Sequence, residues 1–87
     1  MKLLFVADPL ESFKTYKDTT FTMMREAARR GHELWACQAG DLVWRRGARV
    51  VARDARAVAL TGREQDPWFD ELTRAELALA DVQAVLM

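Results

Sequence analysis

The first 38 residues contain a strand, a helix and a second strand in an order that restricts the fold strongly. Lys2 to Ala7 is an apolar run of the kind found in strands that are buried on both faces. Asp18 to Arg30 has the period of an amphipathic helix, and Glu33 to Gln38 is again strand-like. Because two strands joined through a helix pair in parallel with a right-handed crossover, this segment predicts an α/β fold.

The predicted helix carries signals for both of its ends. Asp18 is a favourable N-cap residue, and Gly31 follows the last turn, where a left-handed residue commonly ends a helix. One stripe of the helix is apolar and is expected to face the sheet; it consists of Phe21, Met24, Ala27 and Ala28.

The middle of the sequence predicts antiparallel strands. Asp41 to Arg46 and Ala48 to Arg53 flank Gly47 in the manner of a β-hairpin, and Ala55 to Leu60 is a further strand-like piece. The several arginines of this region are interpreted as one solvated face.

The last third predicts one short helix and one strand. Trp68 to Leu72 follows Pro67, a residue that is favoured in the first turn of a helix. Gln83 to Met87 is apolar and is expected to be a strand. The whole of residues 1–87 is therefore expected to be a single α/β domain, with a mostly parallel sheet, an added β-hairpin and helices packed on the sheet.

The balance of charges limits the partners of the chain. The 87 residues include 13 basic and 13 acidic side chains, so the formal net charge is zero. Binding to nucleic acid is not favoured, because a basic excess is needed to neutralise phosphates. No apolar run approaches the roughly 20 residues that cross a bilayer, and we expect a cytoplasmic protein that binds no membrane.

The sequence has one cysteine, Cys37, and one histidine, His32. A single cysteine excludes an intramolecular disulfide and a cysteine-based metal site. A catalytic thiol needs an activating base and a group that orients this base, and the sequence identifies no such third partner. We therefore interpret Cys37 as a buried strand residue and His32 as a complement to the helix end.

The loop between the first strand and the first helix is the candidate binding site. It leaves the carboxyl end of a strand, where open α/β sheets bind ligands, and it exceeds the usual length of roughly two to six residues. Asp8 and Asp18 can accept hydrogen bonds, Lys14 and Lys17 add positive charge, and the free N–H groups of the helix attract anions. These groups favour a zwitterionic or peptide-like ligand. A plain connection is also consistent with them, if Asp18 only caps the helix and the lysines are solvated.

Four short motifs occur here in an order that is characteristic of one enzyme family. They are Asp8-Pro9-Leu10, Lys17-Asp18-Thr19-Thr20-Phe21, the helix end from Glu26 to Glu33, and Gly40-Asp41-Leu42. Together they resemble the amino-terminal domain of bacterial glutathione synthetase, and the similarity spans nearly the whole chain. The sequence departs from the family at Ala7, where Met is usual, and it matches only loosely over residues 61–76.

The resemblance implies a Rossmann-like pre-ATP-grasp domain of a ligase that joins γ-glutamylcysteine to glycine. ATP and Mg²⁺ would be bound by the central and carboxyl-terminal domains of that ligase, so neither cofactor nor a catalytic residue is expected in these 87 residues. The resemblance also implies homo-oligomer contacts. The residues that it places at the γ-glutamylcysteine end of the cleft are Asp8, Pro9, Lys17, Asp18 and Thr19.

The family's last strand continues into an Arg-Lys-Asp-Pro-Pro-Phe-Asp segment that lies beyond Met87. We therefore expect a fragment of a longer ligase that is inactive on its own. A stand-alone Rossmann-like binding or oligomerisation module is the alternative, and a flavodoxin-like receiver or nucleotide domain is disfavoured because no acidic cluster or glycine-rich loop follows the first strand. The downstream reading frame distinguishes the module from the ligase.

Overall fold

The computed structural model describes residues 1–13, 18–47, 49–62 and 67–86. One α-helix and six strands are found in this part of the chain. In order, they are β1 (Lys2–Val6), α1 (Thr19–Arg29), β2 (Glu33–Cys37), β3 (Leu42–Arg45), β4 (Arg49–Leu60), β5 (Phe69–Ala78) and β6 (Ala84–Leu86). Three 3-10 turns lie between them, at Leu10–Ser12, Ala39–Asp41 and Leu79–Asp81.

The strand-helix-strand unit predicted from the first 38 residues is confirmed. β1 and β2 pair in parallel, with Lys2 opposite Glu33. The Asp18 side chain caps α1, because its Oδ1 accepts a hydrogen bond from the Thr20 amide at 2.9 Å. Gly31 has a φ of 82° just beyond the end of the helix, in the left-handed region that glycine adopts without strain.

The six strands form one mixed sheet. β1 pairs in parallel with β2 and β6, whereas β4 pairs antiparallel with β2, β3 and β5. β2 and β3 follow one another along the same edge of β4, since Trp35 is opposite Ala57 and Leu42 is opposite Ala52. The connection of residues 38–41 consequently lies between β2 and β3, beside β4.

The expectation of a mostly parallel sheet is not met, because the second half of the chain adds only antiparallel pairings apart from β6. The hairpin around Gly47 is confirmed, with Arg45 opposite Arg49. The two strands predicted on either side of Asp54 are one strand of 12 residues. An irregularity in register between Ala52 and Ala55 allows β4 to continue through this point.

The helix predicted at Trp68 to Leu72 is wrong, because Phe69–Ala78 forms the strand β5. Its pairing with β4 runs from Phe69 opposite Leu60 to Ala78 opposite Val51. Residues 70–76 are exposed on both faces of the strand, so the hydrophobic alternation that normally identifies a strand is absent. The predicted helices on the sheet therefore reduce to α1 in the described residues.

Side chains of β1 contribute to apolar clusters on both faces of the sheet. Leu3 and Phe5 pack with Phe21 and Met24 of α1 on one face. Leu4 and Val6 alternate with them and join the other cluster, which also contains Trp35, Cys37, Ala52, Ala55, Ala57 and Leu77. The sheet curls so that β4 and β5 help to bury this second cluster.

In the ranges given above, no helix is both long enough and apolar enough to cross a membrane.

Candidate functional site

β1 and β2 end side by side at one edge of the sheet. The backbone N–H of Ala7 donates a hydrogen bond to the Cys37 carbonyl at 2.9 Å, so the two backbone segments remain paired just past β1. Asp8 and Gln38 are the next residues, and both are exposed. Their side chains line two adjoining clefts, which places them at the centre of the candidate site.

The first cleft, called the charged cleft below, lies between this strand edge and the pair β4 and β5. Its volume is about 210 Å³. Six charged side chains line it: Asp8, Glu11, Asp41, Asp54, Arg56 and Arg74. Such a lining suits a small polar ligand.

The second cleft, called the helix-side cleft below, lies between the strand edge and the first turn of α1. Its volume is about 490 Å³. Asp18 and Thr20 line it from the helix, and Phe13 and Gly40 line it from the flanking loops.

The structure brings three of the five predicted site residues to these clefts. Asp8 lines both, Pro9 lines the charged cleft and Asp18 lines the helix-side cleft. Thr19 is the first residue of α1 and is exposed, but it lines neither cleft. Lys17, like Lys14, lies outside the described residues. A role in binding stays a prediction for all five.

Residues 8–12, called the opening turn below, form a compact loop. The backbone N–H and the hydroxyl of Ser12 both donate to the Pro9 carbonyl, at 2.9 and 2.7 Å. Leu10 is 2% exposed and belongs to the apolar cluster that includes Phe21 and Met24 of α1. The opening turn is therefore anchored at its middle.

Two arginines of the sheet, Arg56 on β4 and Arg74 on β5, form ion pairs at the charged cleft. Arg56 donates to Glu11 at 2.7 and 3.2 Å and to Glu71 at 3.3 Å. Arg74 donates to Glu71 at 2.8 Å and to Asp54 at 3.0 Å. The hydrogen bond from Arg56 is the main cause that lowers the pKa of Glu11, and the one from Arg74 lowers the pKa of Glu71. Both carboxylates are therefore ionised at neutral pH.

Asp8 differs from the neighbouring acids of the charged cleft. Asp54 is paired with Arg74, and the Asp41 carboxylate accepts a hydrogen bond from the backbone N–H of Gln38 at 3.0 Å. The Asp8 carboxylate has no hydrogen bond or ion pair with the residues that the structure describes. An exposed carboxylate of this kind is available to an ammonium or amide group of a ligand.

Cys37 is buried, in agreement with its interpretation as a strand residue. Burial raises the pKa of its thiol to about 11, with a smaller contribution from the charge of Asp41. The thiol is therefore protonated at neutral pH and is a poor nucleophile. Nδ1 of His32 lies 3.1 Å from the amino group of Met1, and His32 lines neither cleft.

Among the residues that line the clefts, the sequence did not predict as site residues Glu11, Gln38, Asp41, Asp54, Arg56 and Arg74. Gln38 had a usable signal, since it is the last residue of the predicted second strand, whose end must lie beside that of the first. The arginines had none, because only the pairing of β4 with β5 brings them to the cleft.

Comparison with known proteins gives a consistent result. A family model described as the N-terminal domain of prokaryotic glutathione synthetase matches residues 1–87. A glutathione synthetase of Ralstonia nicotianae is 46% identical over 87 residues, which are 100% of this chain and 26% of that protein. One from Neisseria meningitidis serogroup A is 44% identical over 90 residues, covering 100% of this chain and 28% of the relative. The chain thus spans about a quarter of the length of these relatives.

Proposed function

The chain belongs to the family of prokaryotic glutathione synthetase N-terminal domains, and on this basis we propose that it is one domain of a ligase that joins γ-glutamylcysteine to glycine. The match along all 87 residues is the observation that carries the proposal. The central and carboxyl-terminal ATP-grasp domains would be supplied by the remaining three quarters of a longer protein. Contacts between copies of that protein stay a prediction.

We propose that this domain forms a wall of the peptide-substrate cleft. The unpaired Asp8 carboxylate would accept hydrogen bonds from the ammonium group of the γ-glutamyl residue, while Pro9 restricts the backbone beside it. Asp18 and Thr19, at the start of α1, would shape the part of the cleft where the helix favours a negatively charged group. Lys17 would add a positive charge near a carboxylate of the dipeptide. Support comes from the position of Asp8 and Asp18 at adjoining clefts beyond a strand end.

We propose that ATP and Mg²⁺ are bound outside the part of the chain that the structure describes. No group of three or more His, Cys, Asp or Glu side chains is placed to hold a metal ion within the described ranges. Glu11 and Asp54, two of the acids in the charged cleft, are already paired with arginines. The sequence also lacks a glycine-rich phosphate-binding motif. We therefore assign substrate binding and orientation to this domain, and no metal-dependent or phosphoryl-transfer step.

An assay of glutathione formation tests the proposed function. The complete protein, expressed with its downstream reading frame, is expected to form glutathione from γ-glutamylcysteine, glycine and MgATP, and to release ADP in equal amount. The 87-residue chain alone is expected to form none, because we propose that the nucleotide is bound by the central and carboxyl-terminal domains. Chromatographic measurement of glutathione and ADP checks both expectations. Glutathione formation by the 87-residue chain, or none by the complete protein, would contradict the proposal. A stop codon directly after Met87 would instead favour a stand-alone binding module.

A further inference from the structure

One ion pair connects the opening turn to the middle of the sheet. Nη1 of Arg56 lies 2.7 Å from Oε2 of Glu11, and Nη2 lies 3.2 Å from Oε1, although the two residues are 45 positions apart in sequence. Two parallel hydrogen bonds of this kind restrict the orientation of both groups more than a single contact does.

Arg56 is held by the sheet independently of Glu11. Its side chain is only 15% exposed, its guanidinium lies 5.4 Å from the centre of the Phe69 ring, and it also donates to Glu71. The Glu11 side chain is 64% exposed. Arg56 is therefore the fixed partner, and Glu11 is the partner that the ion pair restrains.

The restraint on Glu11 extends to Asp8, because both belong to the opening turn. The hydrogen bonds from Ser12 to the Pro9 carbonyl close this turn, and the burial of Leu10 attaches it to the core on one side. Glu11 attaches it to β4 on the other side. With two attachments, the turn can hold Asp8 in one position at the end of β1.

We propose that Arg56 is a positioning residue for the peptide substrate: by holding Glu11, it sets where the Asp8 carboxylate lies in the cleft. This inference rests on the proposed function. Arg56 does not need to contact the substrate, since its guanidinium already donates to two carboxylates.

Steady-state kinetics of the complete ligase test this proposal through Arg56→Gln, Glu11→Gln and the double variant. Each single change is expected to raise the KM for γ-glutamylcysteine about two- to fivefold, the range expected for a partly exposed ion pair, and to leave the KM for ATP unchanged. The double variant is expected to match the single variants, because all three lack the same contact. Arg56→Lys is expected to be intermediate, since lysine keeps the charge but not the paired geometry.

Arg45→Gln is the matched control. Arg45 donates to Glu76 at 2.6 Å in a half-exposed pair between β3 and β5, and it lines neither cleft. Its replacement is expected to leave both KM values unchanged.

Three results in an active ligase would overturn the positioning role. The first is that Arg56→Gln raises the KM for γ-glutamylcysteine while Glu11→Gln does not, which would mean that Arg56 contacts the substrate directly. The second is that the effects of the two changes add in the double variant. The third is that neither change affects this KM. If Arg56→Gln fails to fold, the comparison of Arg56→Lys with Glu11→Gln decides the matter, because lysine keeps the charge at position 56 and Glu11 is largely exposed. Absence of glutathione formation by the unmodified complete protein would overturn the proposed function as well, and is recognised before any variant is measured.

Discussion

Replacement of Trp68 with alanine is expected to lower the free energy of unfolding of the 87-residue chain by about 3–5 kcal/mol. Trp68 is 1% exposed and is among the largest fully buried side chains. Its ring centre lies 5.4 Å from that of Phe13, 5.2 Å from that of Phe21 and 4.7 Å from that of Phe69. The indole thus contacts Phe13 in the loop after β1, Phe21 of α1 and Phe69 of β5, and its removal would leave a cavity between them.

Urea unfolding followed by circular dichroism measures this loss. Trp44→Ala is the matched control, because Trp44 is 72% exposed and its replacement is expected to change the stability by less than about 0.5 kcal/mol. Trp68→Phe keeps most of the ring contacts and removes an indole N–H that has no hydrogen-bond partner in the described structure. We expect it to be clearly more stable than Trp68→Ala. Equal losses for Trp44→Ala and Trp68→Ala would contradict the described core.

The change Leu4→Ala is expected to cost about 2–5 kcal/mol of unfolding free energy. Leu4 is 0% exposed and belongs to the apolar cluster on the sheet face opposite α1, together with Trp35, Ala52 and Leu77. No α-helix of the described residues covers this face, so its burial depends on the curl of β4 and β5 and on the turn after β5. The loss at Leu4 therefore measures whether the curled sheet encloses a second core.

The control for Leu4 is Leu72→Ala on β5. Leu72 is 64% exposed, so the same loss of side-chain atoms is expected to change the stability by less than about 0.5 kcal/mol. A midpoint of urea unfolding for Leu4→Ala that equals the midpoint for Leu72→Ala would show that this face of the sheet is open to solvent.

The first half of the fold was predictable because its signals are local. The cap at Asp18, the left-handed residue Gly31 and the apolar stripe of α1 each depend on neighbours within a few residues. The identity of β5 was not predictable in this way. Its stability as a strand comes from pairing with β4, and its exposure on both faces removes the alternation that would reveal it.

The candidate site divides along the same line. Asp8 and Asp18 could be predicted because they flank a loop that leaves the end of a parallel strand. Arg56 could not, since the arginines of its region were interpreted as a solvated face. Arg53 is indeed exposed, but the Arg56 side chain is mostly buried and paired with Glu11, a contact that depends on long-range packing.

The central claim is that this domain binds the peptide substrate. Its most direct test is to measure the Michaelis constants of the Asp8→Asn variant of the complete ligase. Asparagine keeps the size of the side chain but removes the charge that would attract the ammonium group of γ-glutamylcysteine. Loss of such a charged contact is worth about 1.5–3 kcal/mol, so the KM for γ-glutamylcysteine is expected to rise about tenfold or more. The KM for ATP is expected to stay unchanged. The control is Asp70→Asn, which replaces an exposed acid on β5 outside both clefts and is expected to change neither constant. Equal effects of Asp8→Asn on the two Michaelis constants, or no effect on either, would contradict the claim.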